Sequence, residues 1–184
     1  MSDHLDQLCR AAQGGDMAAA CELLNAFYEK VFAYFRRLCG REEDAADLTQ
    51  KTFAKVWASL GSYRQRSTFS TWVHGIARHV YVDWRRRKDL SSHADDSWWD
   101  AQPDSQSGPF ESTAEREIAQ QLYALVDKLD EDAREAVHLH YYQELTLDQT
   151  AEILGVAAST VKYRLRRALD FLKRHVTEPT NSNL

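Results

Sequence analysis

This sequence predicts an all-α protein of two small helical domains joined by a flexible acidic linker, the second containing a helix-turn-helix. Three observations predict it. Apolar residues recur at spacings of three and four, and no Val/Ile/Thr-rich run alternates as a strand would. Among 184 residues there are only seven glycines and three prolines, too few breakers for a loop-rich or all-β fold. Between 91 and 111 the chain reads SSHADDSWWDAQPDSQSGPFE, a polar, acidic, Pro- and Gly-bearing stretch that cannot bury a core of its own.

Each element follows from its pattern. A short leading helix, about 4–12, precedes Gly14-Gly15. Over 16–39, Ala20, Leu24, Phe27, Val31, Tyr34 or Phe35, and Leu38 form one stripe, and Gly40 ends it. A helix over 43–60 turns Ala45, Thr49, Phe53, Val56 and Leu60 inward. The next runs from about Thr68 to Lys88 and closes on Trp84-Arg85-Arg86-Arg87-Lys88, with Trp72, Ile76 and Val80 as core. After the linker, Ser112 with Glu115 is a capping-box signature for a helix over 114–128. Its apolar side carries Ile118, Leu122, Leu125 and Leu129, and another helix spans Glu131 to Gln143. The expected domains are 1–90 and 112–177, with 178–184 a frayed tail.

The net charge of -5 hides an uneven distribution. Residues 61–90 hold seven Lys/Arg against two acids, 91–135 three against twelve, and 162–174 six against Asp170 alone. Two cationic blocks around an acidic middle suit a chain that meets nucleic acid in two places. No apolar run approaches the roughly 20 residues of a membrane span. The start, MSDHLD, lacks the features of a signal peptide, so no membrane contact and a cytoplasmic location are expected. Cys9, Cys21 and Cys39 are odd in number and lack metal spacing. They read as reduced thiols, with Cys21 and Cys39 near the first helix.

An enzyme finds no support. A glycine-rich phosphate loop and a His-Glu-x-x-His are both missing, while His138/His140 and His74/His79 have poor ligand spacing. No cofactor and no metal are called for.

Residues 146–172, TLDQTAEILGVAASTVKYRLRRALDFL, carry the helix-turn-helix. Thr146 and Gln149 form a capping box, Gly155 makes the turn, Ala151 is small where the helices cross, and Ser159 is placed to cap the second helix. Val161, Leu165, Ala168, Leu169 and Leu172 form its apolar stripe. Ala158, Ser159, Thr160, Lys162 and Tyr163 lie at the leading end, which enters the major groove in such motifs. Arg164, Arg166 and Arg167 lie further along, where phosphate contacts are expected.

In the first domain, residues 61–88 read GSYRQRSTFSTWVHGIARHVYVDWRRRK. Aromatics interleaved with arginines suit unpaired bases and their phosphates. The loop Ser62–Thr68, with Tyr63, Arg64, Arg66 and Ser67, is the candidate for capturing an extruded base.

DLTQKTFAKVWASL, then TFSTWVHGIARHVYVDWRRR, then the motif after LTLDQTAEILGV, resemble the extracytoplasmic-function sigma factors of bacterial RNA polymerase, over about 10–90 and 112–175. The resemblance implies that the first domain binds the polymerase clamp and melts the minus-ten promoter element. It also implies that the second reads the minus-thirty-five element and that the linker, with Trp98 and Trp99, threads into core enzyme. It places Arg85, Arg86 and His79 near the minus-ten contacts, His79 standing where the family usually has Asn. A stand-alone regulator that reads duplex operators without polymerase is the competing expectation.

One helix departs from the family. Its usual pattern is Asp-Ala-Glu-Asp-Leu-x-Gln-Glu-x-Phe, whose acids face a basic surface of the clamp. This chain keeps Asp44, Asp47 and Gln50 but has Ala46 and Lys51 at the glutamate positions. A cation there repels the clamp and weakens docking. Phosphorylation by a Ser/Thr kinase would restore negative charge, and Thr52, at the border of the stripe, is favoured over the buried Thr49. An anti-sigma protein is the alternative means of control.

Overall fold

The computed structural model describes residues 2–91 and 113–176. Eight helices run in chain order: α1 (Ser2–Gln13), α2 (Met17–Cys39), α3 (Glu42–Ser59), α4 (Phe69–Ser91), α5 (Thr113–Val126), α6 (Glu131–Val137), α7 (Leu147–Leu154) and α8 (Ala158–His175). The expected order therefore stands, and α4 continues to Ser91 rather than ending at Lys88. Linker residues 92–111 with Trp98 and Trp99, the Ser112–Glu115 capping box and the tail 178–184 lie outside the described residues.

The local reasons are legible in the caps. Asp16 begins α2, its carboxylate accepting from the amides of Ala18 and Ala19 at 2.9 and 3.1 Å. Gly40 ends that helix with φ 74°, a conformation a Cβ disfavours. α2 is the central element of the first domain, burying Leu23, Phe27, Val31, Tyr34, Phe35 and Leu38 against α1, α3 and α4. Leu24 is only half-buried, because Leu23 takes the inward position. Cys9 and Cys39 are buried, whereas Cys21 is exposed, so only one of the two cysteines expected near the first helix is interior.

In the second domain, α6 continues into a π-helical turn over His138–Tyr142 before Gln143. The extra residue per turn rotates the chain and brings both His138 and Leu139 inward. On α5, Val126 is buried and Leu122 is 37% exposed, reversing the expected order of the stripe.

The two domains are packed on one another, and their buried apolar residues form one contiguous cluster. α4 lies along α7, and the π turn meets α2. Sequence periodicity defines each domain's own stripe but carries no information about that seam.

Candidate nucleic-acid interface

The helix-turn-helix is built as its sequence dictates. Thr146 Oγ1 accepts from the Gln149 amide at 3.2 Å, and Gln149 Oε1 accepts from the Thr146 amide at 2.9 Å. Gly155 sits at φ 66°, ψ 34°, and the Val156 amide bonds back to the Ala151 carbonyl at 3.1 Å. Ala151, Ile153, Leu154, Val161, Leu165, Ala168 and Leu172 then close the apolar seam. Two details differ from expectation. Ser159 does not cap α8. The cap position is Ala157, which has no side-chain bond, and Ser159 lies exposed in the first helical turn. Leu169 is 38% exposed, since the seam needs only the residues facing α6 and α7.

This leaves Ser159, Lys162, Tyr163 and Arg166 exposed at spacings of three and four, on one edge of α8. Ala158 and Thr160 are half-buried beside them. Arg167 is also exposed, its guanidinium 5.8 Å from the Tyr163 ring centroid and 3.5 Å from Asp130. Arg164 is different. It donates to Asp132 at 2.6 Å and is largely covered. A phosphate-contacting role for Arg164 would require exchanging that partner.

In the first domain, Gln13 at the end of α1 donates to the carbonyls of Leu60 and Tyr63, at 3.0 and 2.7 Å, and so pins the loop that precedes α4. Gln65 takes a left-handed conformation, φ 55°, between the exposed Arg64 and Arg66. Tyr63 is not available for a base. It is 6% exposed, packed on Phe69 and Trp72, with its hydroxyl donating to the Ser67 carbonyl at 2.7 Å. Tyr63 therefore supports the loop from inside, and Arg64, Arg66 and the half-buried Ser67 form its outer rim. On α4, His79 is exposed with Nδ1–H donating to the Gly75 carbonyl at 2.7 Å. Arg86 pairs with Asp83 at 3.4 Å, and Arg85 pairs with Glu131 of the second domain.

On α3, Asp47 and Lys51 form an ion pair one turn apart, so the unusual cation neutralises a neighbouring acid of its own helix. Asp44 faces Lys88 of α4 at 3.5 Å, while Gln50 is exposed. Thr49 and Thr52 are both 0% exposed. Their hydroxyls donate to the carbonyls of Ala45 and Leu48 at 2.7 and 2.8 Å. The expectation that Thr52 sits at the stripe's border is thus corrected: it is as fully buried as Thr49, on a helix packed against both α2 and α4.

Several residues that matter to this geometry escaped sequence reasoning. Gln13, Tyr34, Arg78 and Glu135 carried no motif. The only available signal was the pair of acids Glu131 and Glu135, one turn apart.

Comparison with known proteins matches residues 23–90 to "Sigma-70 region 2" and residues 119–172 to "Sigma-70, region 4". The chain is 32% identical to the ECF RNA polymerase sigma factor SigE of Mycolicibacterium smegmatis, over 91% of this chain and 68% of that one. It is 30% identical to RNA polymerase sigma factor YlaC of Bacillus subtilis, over 85% and 91% respectively. In fold it is similar to the sigma factor RpoE solved with the anti-sigma factor NepR from Bartonella quintana. That likeness has TM-score 0.70 and 23% identity, covering 84% of this chain and 94% of that one. It is also similar to CnrH solved with the cytosolic domain of CnrY, with TM-score 0.67 and 22% identity over 95% and 96%. With both signature regions present in order on a two-domain helical chain, this protein belongs to the ECF family of RNA polymerase sigma factors.

Proposed function

We propose that this ECF sigma factor, which directs transcription initiation, divides the work among three surfaces. The outer face of α3, with Asp44, Asp47 and Gln50, docks on core RNA polymerase. The loop bearing Arg64, Arg66 and Ser67, together with His79, Arg85 and Arg86 of α4, engages the opened minus-ten strand. The leading edge of α8, with Ser159, Thr160, Lys162 and Tyr163, reads the minus-thirty-five element, while Arg166 and Arg167 hold phosphates. The observation that carries this reading is the single solvent-facing edge of Ser159, Lys162, Tyr163 and Arg166, held behind a capped helix and a left-handed glycine turn.

Run-off transcription with purified core enzyme tests it. Promoter-specific transcripts are expected, lost in Lys162→Ala/Tyr163→Ala where initiation depends on the minus-thirty-five element. A protein that ignores core enzyme and gains nothing from a pre-melted template would instead be a duplex-binding regulator.

For control, the burial of both threonines favours an anti-sigma partner over a kinase. Phosphorylating Thr52 or Thr49 requires first withdrawing a hydroxyl from the core and from its carbonyl acceptor, then housing a dianionic group that no space beside α2 accepts. Among solved neighbours, RpoE was solved with the anti-sigma factor NepR and CnrH with the cytosolic domain of CnrY. Lys51→Glu separates charge from modification. It is expected to tighten binding to core enzyme, and an unchanged affinity would show that the Asp47–Lys51 pair already satisfies the clamp.

A further inference from the structure

Helix α1 contributes no residue to the three surfaces proposed above, yet its last side chain reaches across the first domain to one of them. Gln13 Nε2 donates to the Leu60 carbonyl at 3.0 Å and to the Tyr63 carbonyl at 2.7 Å. Both partners are acceptors, so only the NH2 end of the carboxamide can face them, and both of its N–H bonds are used. Leu60 and Tyr63 bracket the short 3-10 turn Leu60–Ser62, which the Tyr63 amide closes on the Leu60 carbonyl at 3.1 Å. One side chain therefore grips both ends of the turn that leads into the loop before α4.

The stretch Gln13-Gly14-Gly15-Asp16 fixes where that side chain stands. Gly15 takes φ 95°, and the amides of Gly15 and Asp16 return to the carbonyls of Ala12 and Ala11, both at 3.1 Å, so α1 stops abruptly. Cys9 is fully buried and Leu5, Leu8 and Ala12 pack on the same core, which holds α1 against α2. On the far side of the loop the Tyr63 hydroxyl donates to the Ser67 carbonyl, and Thr68 Oγ1 accepts from the Thr71 amide at 3.2 Å where α4 begins. Between Tyr63 and Ser67, the residues Arg64, Gln65 and Arg66 are exposed. Gln65 keeps its left-handed backbone, φ 55°, a conformation that persists at a non-glycine residue only where the surroundings impose it.

We propose that Gln13 is a positioning residue for strand capture, its carboxamide holding the segment from Leu60 to Ser67 in the shape in which Arg64 and Arg66 receive the opened minus-ten strand. The proposal rests on the sigma-factor reading above and extends it to α1. A single strand must be ordered as it binds, so a loop that is already ordered adds less to that cost. Released from Gln13, the segment samples other shapes, and apparent affinity for the strand falls by the fraction that stays competent. Docking by α3 and duplex contacts by α8 do not pass through these bonds.

The test uses full-length Gln13→Glu and Gln13→Lys with core enzyme, on a promoter selected from a randomised library by wild-type holoenzyme. Three quantities are read: affinity for core enzyme, affinity of holoenzyme for the single-stranded minus-ten oligonucleotide, and the rate of duplex opening reported by a fluorescent base analogue in that strand. Gln13 is exposed, so neither variant disturbs the core, and an unchanged urea midpoint checks this. Gln13→Glu keeps the size of the side chain but turns carboxylate oxygens toward two carbonyls. It is expected to weaken strand binding and slow opening about tenfold while leaving core affinity unchanged. Gln13→Lys keeps donors within reach of both carbonyls and should recover most of both losses, a rescue that a purely structural defect would not give. Unchanged strand binding and opening in Gln13→Glu, a matching loss of core affinity, or a loss as deep in Gln13→Lys would overturn the positioning role. A wild-type holoenzyme that opens no promoter would instead remove the sigma-factor reading, and this proposal with it.

Discussion

Helices α4 and α8 look alike in sequence, each amphipathic and each rich in arginine, yet the fold gives their cations different neighbours. On α8, Lys162 and Arg166 face solvent, while among the described residues Arg164 and Arg167 meet acids, both within the same domain. On α4, Arg78 and Arg85 meet acids contributed by the other domain, and the Arg78–Glu135 contact is largely withdrawn from water. The difference teaches that a basic run announces affinity for negative charge without saying whose. On α8 Lys162 and Arg166 are left to solvent; on α4 the protein supplies acids of its own to Arg78 and Arg85.

The largest effect that would break this contrast is on stability at Arg78. Arg78→Ala leaves the Glu135 carboxylate buried without its cation, and a loss of about 3 kcal/mol is expected in urea unfolding. A loss no greater than that of a surface arginine would mean that α4 and α8 do not differ as described.

Acid pH should probe the same seam. His138 is buried with neither ring nitrogen bonded, and burial, reinforced by Arg37 and Arg134, pushes its pKa down to about 3. Burial likewise lowers His74, against the opposing hydrogen bonds to Ser70 and Gln143. Such neutral histidines take up protons in the unfolded chain below about pH 6.5 but not in the folded one. Their contribution is therefore present above that pH and is lost as pH falls toward the folded values. Glu135, raised chiefly by burial, acts with the opposite sign above the ordinary carboxyl range, since the folded state holds its proton more tightly. Stability should fall by up to about 1.4 kcal/mol per pH unit for His138 alone between pH 6 and pH 5. His138→Phe should flatten the slope, and an equally steep profile in that variant would assign the effect elsewhere.

A smaller loss is expected at the turn into α8. No atom lies within 4 Å of where a Cβ on Gly155 would stand, so Gly155→Ala is opposed by φ 66° rather than by crowding. That strain is worth about 1–2 kcal/mol in thermal unfolding. The smallest effect on stability belongs to Arg166→Ala, within about 0.5 kcal/mol of wild type. Its signature lies in DNA binding instead, where affinity should drop for every sequence and the salt slope should shrink by about one.

Much of the architecture was open to reading before any coordinates. Asp16, Gly40, the Thr146–Gln149 box and Gly155 each act within a few residues of chain, so their consequences are local and sequence suffices. The same holds for the exposed edge of α8, which follows from helical spacing once Val161 and Leu165 are known to face inward. Errors arose where a second element decides. Tyr63 beside arginines suits a base contact by sequence, yet Phe69 and Trp72 pack on its ring and it is buried. Thr52 is fully buried rather than at the stripe's border, and Ala157 rather than Ser159 is the cap because α8 begins two residues earlier than a Ser159 cap requires.

What the sequence determined by itself is the order of the eight helices among the described residues, most of their caps and the exposed edge of α8, because backbone hydrogen bonding and side-chain periodicity are short-range. Only tertiary structure decided which charges are already matched. Asp47 finds Lys51 one turn away, a pairing sequence can suggest. Arg78, Tyr34 and Glu135 come from three helices, the last across the linker from the other two, and meet only when the two cores join. Electrostatic partnership depends on distance in space and on exclusion of water, and neither is written in chain order.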